Sequence, residues 1–176
     1  DETSVTALAQ ALRIDVVRPT VDDRRQYTVL ADGQDVTWQI RAPAVDGGVS
    51  LVSTYPGVRH SLTAQQRRIA SGGDIVMVGR DIGTVVMPDA DLKIYLDASV
   101  EERIRRRYDE VKTRGDQTDY ATVVQSVTLR DRIDSGRVLA PLAAADDAVV
   151  IDTTDLDVAQ VLEWVCALVD SSGDAE

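Results

Sequence analysis

The string Asp74-Ile75-Val76-Met77-Val78-Gly79-Arg80-Asp81-Ile82-Gly83-Thr84-Val85-Val86 constrains the fold of this chain more than any other. Its short apolar run, residues 75–78, has the pattern of a strand buried on both faces. Gly79 then permits a sharp turn. Arg80 and Asp81 follow at the carboxyl end of that predicted strand, where open α/β sheets bind ligands. Arg offers a planar fork of donors suited to phosphate, and Asp offers acceptors suited to an amino group. The pair points to a nucleotide that carries a phosphate.

The same alternation continues downstream. Residues 92–96 and 148–151 read as further buried strands, with helices predicted over 100–114, 120–133 and 158–169. Ser99 with Glu102 matches a capping box, while Gly115 closes the first of these helices. Thr118 and Thr154 are the expected caps of the next two. Strand–helix–strand–helix order implies a parallel sheet. Upstream the period changes to two. Segments 14–17, 27–30 and 36–38 read as a small antiparallel sheet, with Asp32-Gly33 as a hairpin turn. Helices are expected over 4–12, over 43–53, and from Pro56 to residue 70 or 71. The expected division is an insert at 1–72 and an α/β core at 73–176, with a lid at about 115–141.

Composition limits the partners. A net charge of −11 over 176 residues argues against a broad nucleic-acid surface, but it leaves a small anionic ligand open. No apolar run approaches the roughly 18 residues of a membrane span. The single cysteine, Cys166, has no internal disulfide partner and reads as a buried packing residue. No signal peptide is visible, so a reducing cytoplasm is expected. Trp38 and Trp164 read as packing residues, and His60 as a solvated side chain.

Three clusters set an arginine beside a hydrogen-bonding partner: Ser50 with Arg59, Arg80 with Asp81, and Arg130-Asp131-Arg132-Ile133-Asp134-Ser135-Gly136-Arg137. In the third, Arg130, Asp134 and Arg137 fall at i, i+4 and i+7 on one helical face. One reading is a solvated ion pair worth a few tenths of a kcal/mol. The other is a charged helix ending at a Ser-Gly hinge, as in a lid that closes over phosphates.

These strings together resemble the bacterial cytidylate (CMP/dCMP) kinase family. The resemblance runs through residues 78–86, 88–96, Ala98-Ser99-Val100-Glu101-Glu102-Arg103, Arg105-Arg106-Arg107, 130–137 and Ala140-Pro141-Leu142. It extends upstream to Asp35-Val36-Thr37, Ile40-Arg41, Val49-Ser50, Tyr55-Pro56 and Val58-Arg59. It implies a nucleoside-monophosphate-kinase type α/β fold with a parallel sheet and an antiparallel insert. Ser50, Arg59 and Asp81 would then read cytosine. Arg80 and Arg137 would hold the monophosphate, and Arg130 and Asp134 the ribose and closing lid. Arg80, Arg130 and Arg137 are thereby the candidate catalytic residues, and Arg106 a candidate contact on the ATP side. The implied substrates are CMP or dCMP and ATP, with Mg²⁺ and no protein-held metal, and the whole unit is expected to be a monomer.

One element of that family's pattern is not found. The string G-x-x-x-x-G-K-[ST], which cradles the donor phosphates, occurs nowhere in residues 1–176. In the family its strand lies in the parallel sheet, between those corresponding to 75–78 and 92–96. The expectation is therefore a kinase chain that carries the acceptor site but lacks the first βα unit, with weak or no turnover by itself. The alternatives are an inactive nucleotide-binding or interaction module of the same descent, and a different nucleoside-monophosphate kinase. The three-stranded insert and residues 79–84 argue against the last.

Overall fold

The structure is a computed structural model that describes residues 1–113, 115–136 and 142–173; for Pro43, Asp46, Gly47 and Ser50 the description stops at the backbone. The described residues divide into two units, 1–79 and 80–136 with 142–173.

In the first unit, Asp32 and Gly33 take φ of 49° and 81°. These left-handed values suit a two-residue hairpin turn. It joins β2 (Thr28–Ala31) to β3 (Gln34–Asp35), and β1 (Ile14–Val17) pairs antiparallel with β2 on its other edge. The predicted third strand at 36–38 does not form. Thr37 takes over there with its side chain: Oγ1 accepts from the Val29 N–H at 2.9 Å, and the Thr37 N–H donates to Asp35 Oδ1 at 2.9 Å. Beneath this turn lies Arg25, its side chain 5% exposed, between Asp23 at 2.6 Å and Asp35. Arg25 and the Trp38 indole N–H hold the Asp23 carboxylate well below its usual range. Thr37 and Arg25 hold Asp35 down to about 2.

Helix α1 (Glu2–Ala11) is capped by Asp1, which accepts from the Ser4 N–H at 2.8 Å. Helix α2 is Pro43–Val52, and α3 is Pro56–Ala70 with Pro in its first turn. Gln65 of α3 fixes the α1–β1 junction, accepting from the Ile14 N–H at 2.7 Å and donating to Leu12 O at 2.6 Å. Helices α1 and α3 approach so closely at Gly57 that a Cβ there would lie 2.3 Å from Thr6 Cγ2.

Residues 75–78 correct the expectation of a buried strand. They form neither strand nor helix, and Val76 and Val78 are 91% and 92% exposed. A strand of this composition needs a ladder partner and a covering layer, and no described strand pairs with it.

The second unit holds β4 (Ile94–Asp97) and β5 (Val149–Asp152), paired in parallel with Ile94 opposite Val149. Two parallel strands are paired where three were expected. Helices α4 (Val100–Thr113) and α5 (Tyr120–Ser135) pack through Ile104, Val111 and Val123, with Tyr108, Val124 and Val127 around them. Gly115, at φ 78°, ends α4: its N–H donates to Lys112 O and the Asp116 N–H to Val111 O, which is a Schellman closure.

The caps partly differ from expectation. Ser99 Oγ accepts from the Glu102 N–H at 3.2 Å, but the Glu102 carboxylate turns to Arg105 and Arg106, which hold it at about 2. The Ser99 N–H donates instead to Thr154 Oγ1 at 2.9 Å. Asp119 rather than Thr118 caps α5, accepting from the Thr122 N–H at 2.7 Å. Asp157 and Gln160 form a reciprocal box at the start of α6 (Val158–Gly173). On α6, Cys166 and Trp164 are exposed, which corrects the reading of both as packing residues; Trp38 is exposed as well.

Two outcomes are expected. Asp35 is depressed from 3.8 to about 2, so the folded unit binds fewer protons than the unfolded chain between those values. Stability is then complete above about pH 4 and falls as the pH drops toward 2. Arg25→Met should lower Tm at pH 7 and flatten that acid dependence, as read by thermal melts followed by circular dichroism at pH 7, 4 and 2.5. Gly57→Ala should destabilise the fold by about 1–3 kcal/mol through overpacking. Thr6→Ala in the same chain should restore most of the loss in denaturant titrations.

Candidate functional site

Asp134 organises the second unit's charged centre. It lies near the end of α5 with its side chain 2% exposed. An ionised carboxylate so buried requires a cation. Nη1 of Arg80 lies 2.5 Å from Asp134 Oδ2, and Nε of Arg130, one turn back on α5, lies 3.8 Å from the same oxygen. Asp131, three residues before Asp134 and so on the same face, approaches Nη1 of Arg80 at 3.7 Å and Nη1 of Arg103 at 2.9 Å. Three guanidinium groups thus surround two carboxylates, leaving one positive charge in excess among these five side chains. Arg80, Arg103 and Arg130 are all partly exposed. Both carboxylates meet Arg80 at Nη1, so its Nε–Nη2 edge faces no acceptor among the described residues. A guanidinium edge of this kind suits two oxygens of a phosphate.

Arg80 reaches this position through the backbone that follows it. From Asp81 the chain enters a single π-helical turn, Ile82–Val86. The Asp81 carbonyl accepts from the N–H groups of Val85 and Val86, and the Met87 N–H donates to Ile82 O at 2.7 Å. Such i→i+5 turns are rare and occur often at functional sites. Gly83 lies beside the Lys93 stem, and Lys93 pairs with Asp147 at 2.6 Å.

The structure therefore brings Arg80, Arg130 and Asp134 together and sets Asp81 beside Arg80 at the start of the π turn. Ser50 on α2 and Arg59 in the first turn of α3 belong to the first unit. Arg137 and the end of the expected lid, residues 137–141, lie outside the described residues. Arg106 directs its donors to Glu102 Oε1 (2.7 Å), Thr153 Oγ1 (3.0 Å), Thr153 O (2.5 Å) and Leu156 O (3.3 Å). It ties α4 to the loop at the carboxyl end of β5.

Sequence reasoning gave Asp131 and Arg103 no role in the cluster. The i, i+3 spacing of Asp131 and Asp134 was available as a signal; the partnership with Arg103 joins two helices and has no local signature. A shallow hollow of about 450 Å³ in the first unit, lined by Arg25, Asp35, Trp38 and Gln39, shares none of these residues. Its polar groups are engaged in the turn network already described. Among the described residues no group of three or more His, Cys, Asp or Glu could hold a metal ion. No helix there is long and apolar enough to cross a membrane.

The family model described as "Cytidylate kinase" matches residues 1–171. The chain is 43% identical to the cytidylate kinase of Bacillus licheniformis over 97% of its own length and 74% of that protein. It is 50% identical to the cytidylate kinase of Caldanaerobacter subterraneus over 78% of its length and 61% of that protein. It is 51% identical to that of Geobacillus kaustophilus over 80% of its length and 63% of that protein.

Asp134→Ala should destabilise the chain by about 1–3 kcal/mol, because it strands Arg80. The loss should stay below that of breaking a fully buried pair, about 3–5 kcal/mol, since Arg80 can turn toward water. Urea denaturation of the variant and of Asp134→Asn checks this, the amide giving the smaller loss.

Proposed function

This chain belongs to the cytidylate kinase family, and on that premise we propose that residues 1–176 hold the acceptor nucleotide, CMP or dCMP, of the transfer from ATP that yields CDP or dCDP. The observation that carries the proposal is the Arg80–Asp134–Arg130 cluster, a partly exposed group of guanidinium charges fixed by buried carboxylates. In this reading Arg80 and Arg137 take the monophosphate. Arg130 and Asp134 take the ribose and the closing lid. Asp81, Ser50 and Arg59 read cytosine, Asp81 accepting from the exocyclic amine. That residue type suits the contact, because a carboxylate can only accept. The work of these side chains is positioning and charge stabilisation, which dominate phosphoryl transfer. Arg80, Arg130 and Arg137 are the proposed catalytic residues, neutralising charge that develops on the transferring group.

ATP and Mg²⁺ serve the family reaction as phosphoryl donor and charge-neutralising ion. The donor cradle G-x-x-x-x-G-K-[ST] is not among residues 1–176, so the reading is confined to the acceptor side. Arg106 is the candidate on the ATP side, where it fixes the loop after β5. We propose further that the parallel pair β4–β5 is part of a larger sheet. The exposed apolar Leu96 and Val150 on the pair support this. The reading extends to cytoplasmic action on free nucleotides, as a monomer where the donor-cradle segment is present, with neither nucleic acid nor membrane as partner.

Two measurements test it. Calorimetry should show CMP binding by residues 1–176, and Asp81→Ala should cut the preference for CMP over UMP by about 1–3 kcal/mol. No change in that preference would remove Asp81 from the base contact. A turnover assay with ATP, Mg²⁺ and CMP should give little or no CDP from this chain alone. Robust CDP formation would overturn the confinement to the acceptor side.

A further inference from the structure

Asp131 is used by nothing in the preceding assignment, yet it touches Arg80 and, on a second helix, Arg103. Its Oδ2 lies 2.9 Å from Nη1 of Arg103 on α4, and its Oδ1 lies 3.7 Å from Nη1 of Arg80. Arg103 gives the clue. Its Nε is buried and has no hydrogen-bond acceptor. A stranded donor of that kind costs about 1–3 kcal/mol and calls for an explanation. The contact that holds Arg103 in this position is its other end, on Asp131. A surface helix pair would not require such an arrangement, because a solvated arginine could leave Asp131 and keep its Nε in water.

We propose that Asp131 is a positioning residue for the phosphate-binding arginine: anchored by Arg103, it shares Nη1 of Arg80 with Asp134 and so keeps the Nε–Nη2 edge for the monophosphate. The inference rests on the acceptor-site reading and adds to it. Asp134 alone fixes one point of the Arg80 guanidinium and leaves the plane free to swing. A second carboxylate on the same nitrogen restricts that swing. Because Arg103 neutralises Asp131, the carboxylate directs Arg80 without cancelling its charge, and the five-residue cluster keeps a net positive charge for the incoming anion. Pre-set donors lose less freedom when the ligand arrives, so the gain appears in the phosphate increment of binding.

The test compares CMP with cytidine, which lacks the phosphate, on the full 176-residue chain and on Asp131→Asn, Arg103→Met and the double variant. Affinity is followed by NMR titration, and side-chain order by ¹⁵N relaxation at Arg80 Nε. Asp131→Asn should weaken CMP about tenfold and leave cytidine within about twofold. Arg103→Met should do the same, and the double variant should lose no more than either single change. Arg80 Nε should be ordered in the parent chain and mobile in Asp131→Asn. Equal weakening of CMP and cytidine would mean a role in the fold alone and would overturn the proposal, as would unchanged CMP binding. Should the parent chain fail to prefer CMP over cytidine, the acceptor-site reading is what fails. The positioning claim is then decided at Arg80 Nε: order lost in Asp131→Asn upholds it, and order unchanged overturns it.

Discussion

A carboxylate that is almost entirely out of water, Asp134, must be met by a cation, and Arg80 meets it at 2.5 Å. Much of the second unit follows from that requirement. Arg80 directly precedes the π-helical turn, which is itself anchored on the Asp81 carbonyl. Asp134 is brought to Arg80 by α5, on the face that also carries Val123 and Val127 of the core shared with α4. The pair is poorly suited to adding stability, because desolvating two charges offsets most of their attraction. It is well suited to holding a guanidinium edge outward, and that is the use given to it here. The chain belongs to the cytidylate kinase family, and in the proposed reading this edge takes the monophosphate.

The same cluster shows why charge excess matters more than total charge. The chain carries a net −11, whereas the five side chains of the cluster, three arginines and two aspartates, sum to +1. The first unit solves the converse problem with the same residue types. Arg25 is enclosed by Asp23 and Asp35 with no edge left to present, and its role is confined to fixing the turn between β2 and the helices that follow.

Local signals in the sequence were read well where the physics is local. Asp32-Gly33 implied the hairpin because both residues had to take positive φ, and they do. Pro56 and Gly115 marked a helix start and a helix end for the same kind of reason. The spacing of Arg130 and Asp134 put both on one helical face. Failures came where a competing neighbour or a distant partner decides the contact. The Glu102 carboxylate left the expected capping box because Arg105 and Arg106 compete for it, and Thr154 was drawn to the Ser99 N–H instead of capping α6. The link between Arg103 and Asp131 crosses two helices and leaves no periodic trace. Residues 75–78 have strand composition, but a strand is defined by its neighbours, and among the described residues none pairs with them. The exposure of Cys166 and Trp164 has the same cause: an apolar helical stripe states what needs covering without stating that cover is present.

The central claim is that the Arg80–Asp134–Arg130 cluster is where the monophosphate binds. An ¹H–¹⁵N correlation titration of the full chain with CMP and, separately, with cytidine tests it most directly. The account predicts phosphate-dependent shifts at residues 80–86, 103 and 130–136, produced by CMP and weak or absent with cytidine. Shifts of equal size with both ligands, or CMP shifts that leave Arg80, Arg130 and Asp134 unmoved, would contradict it.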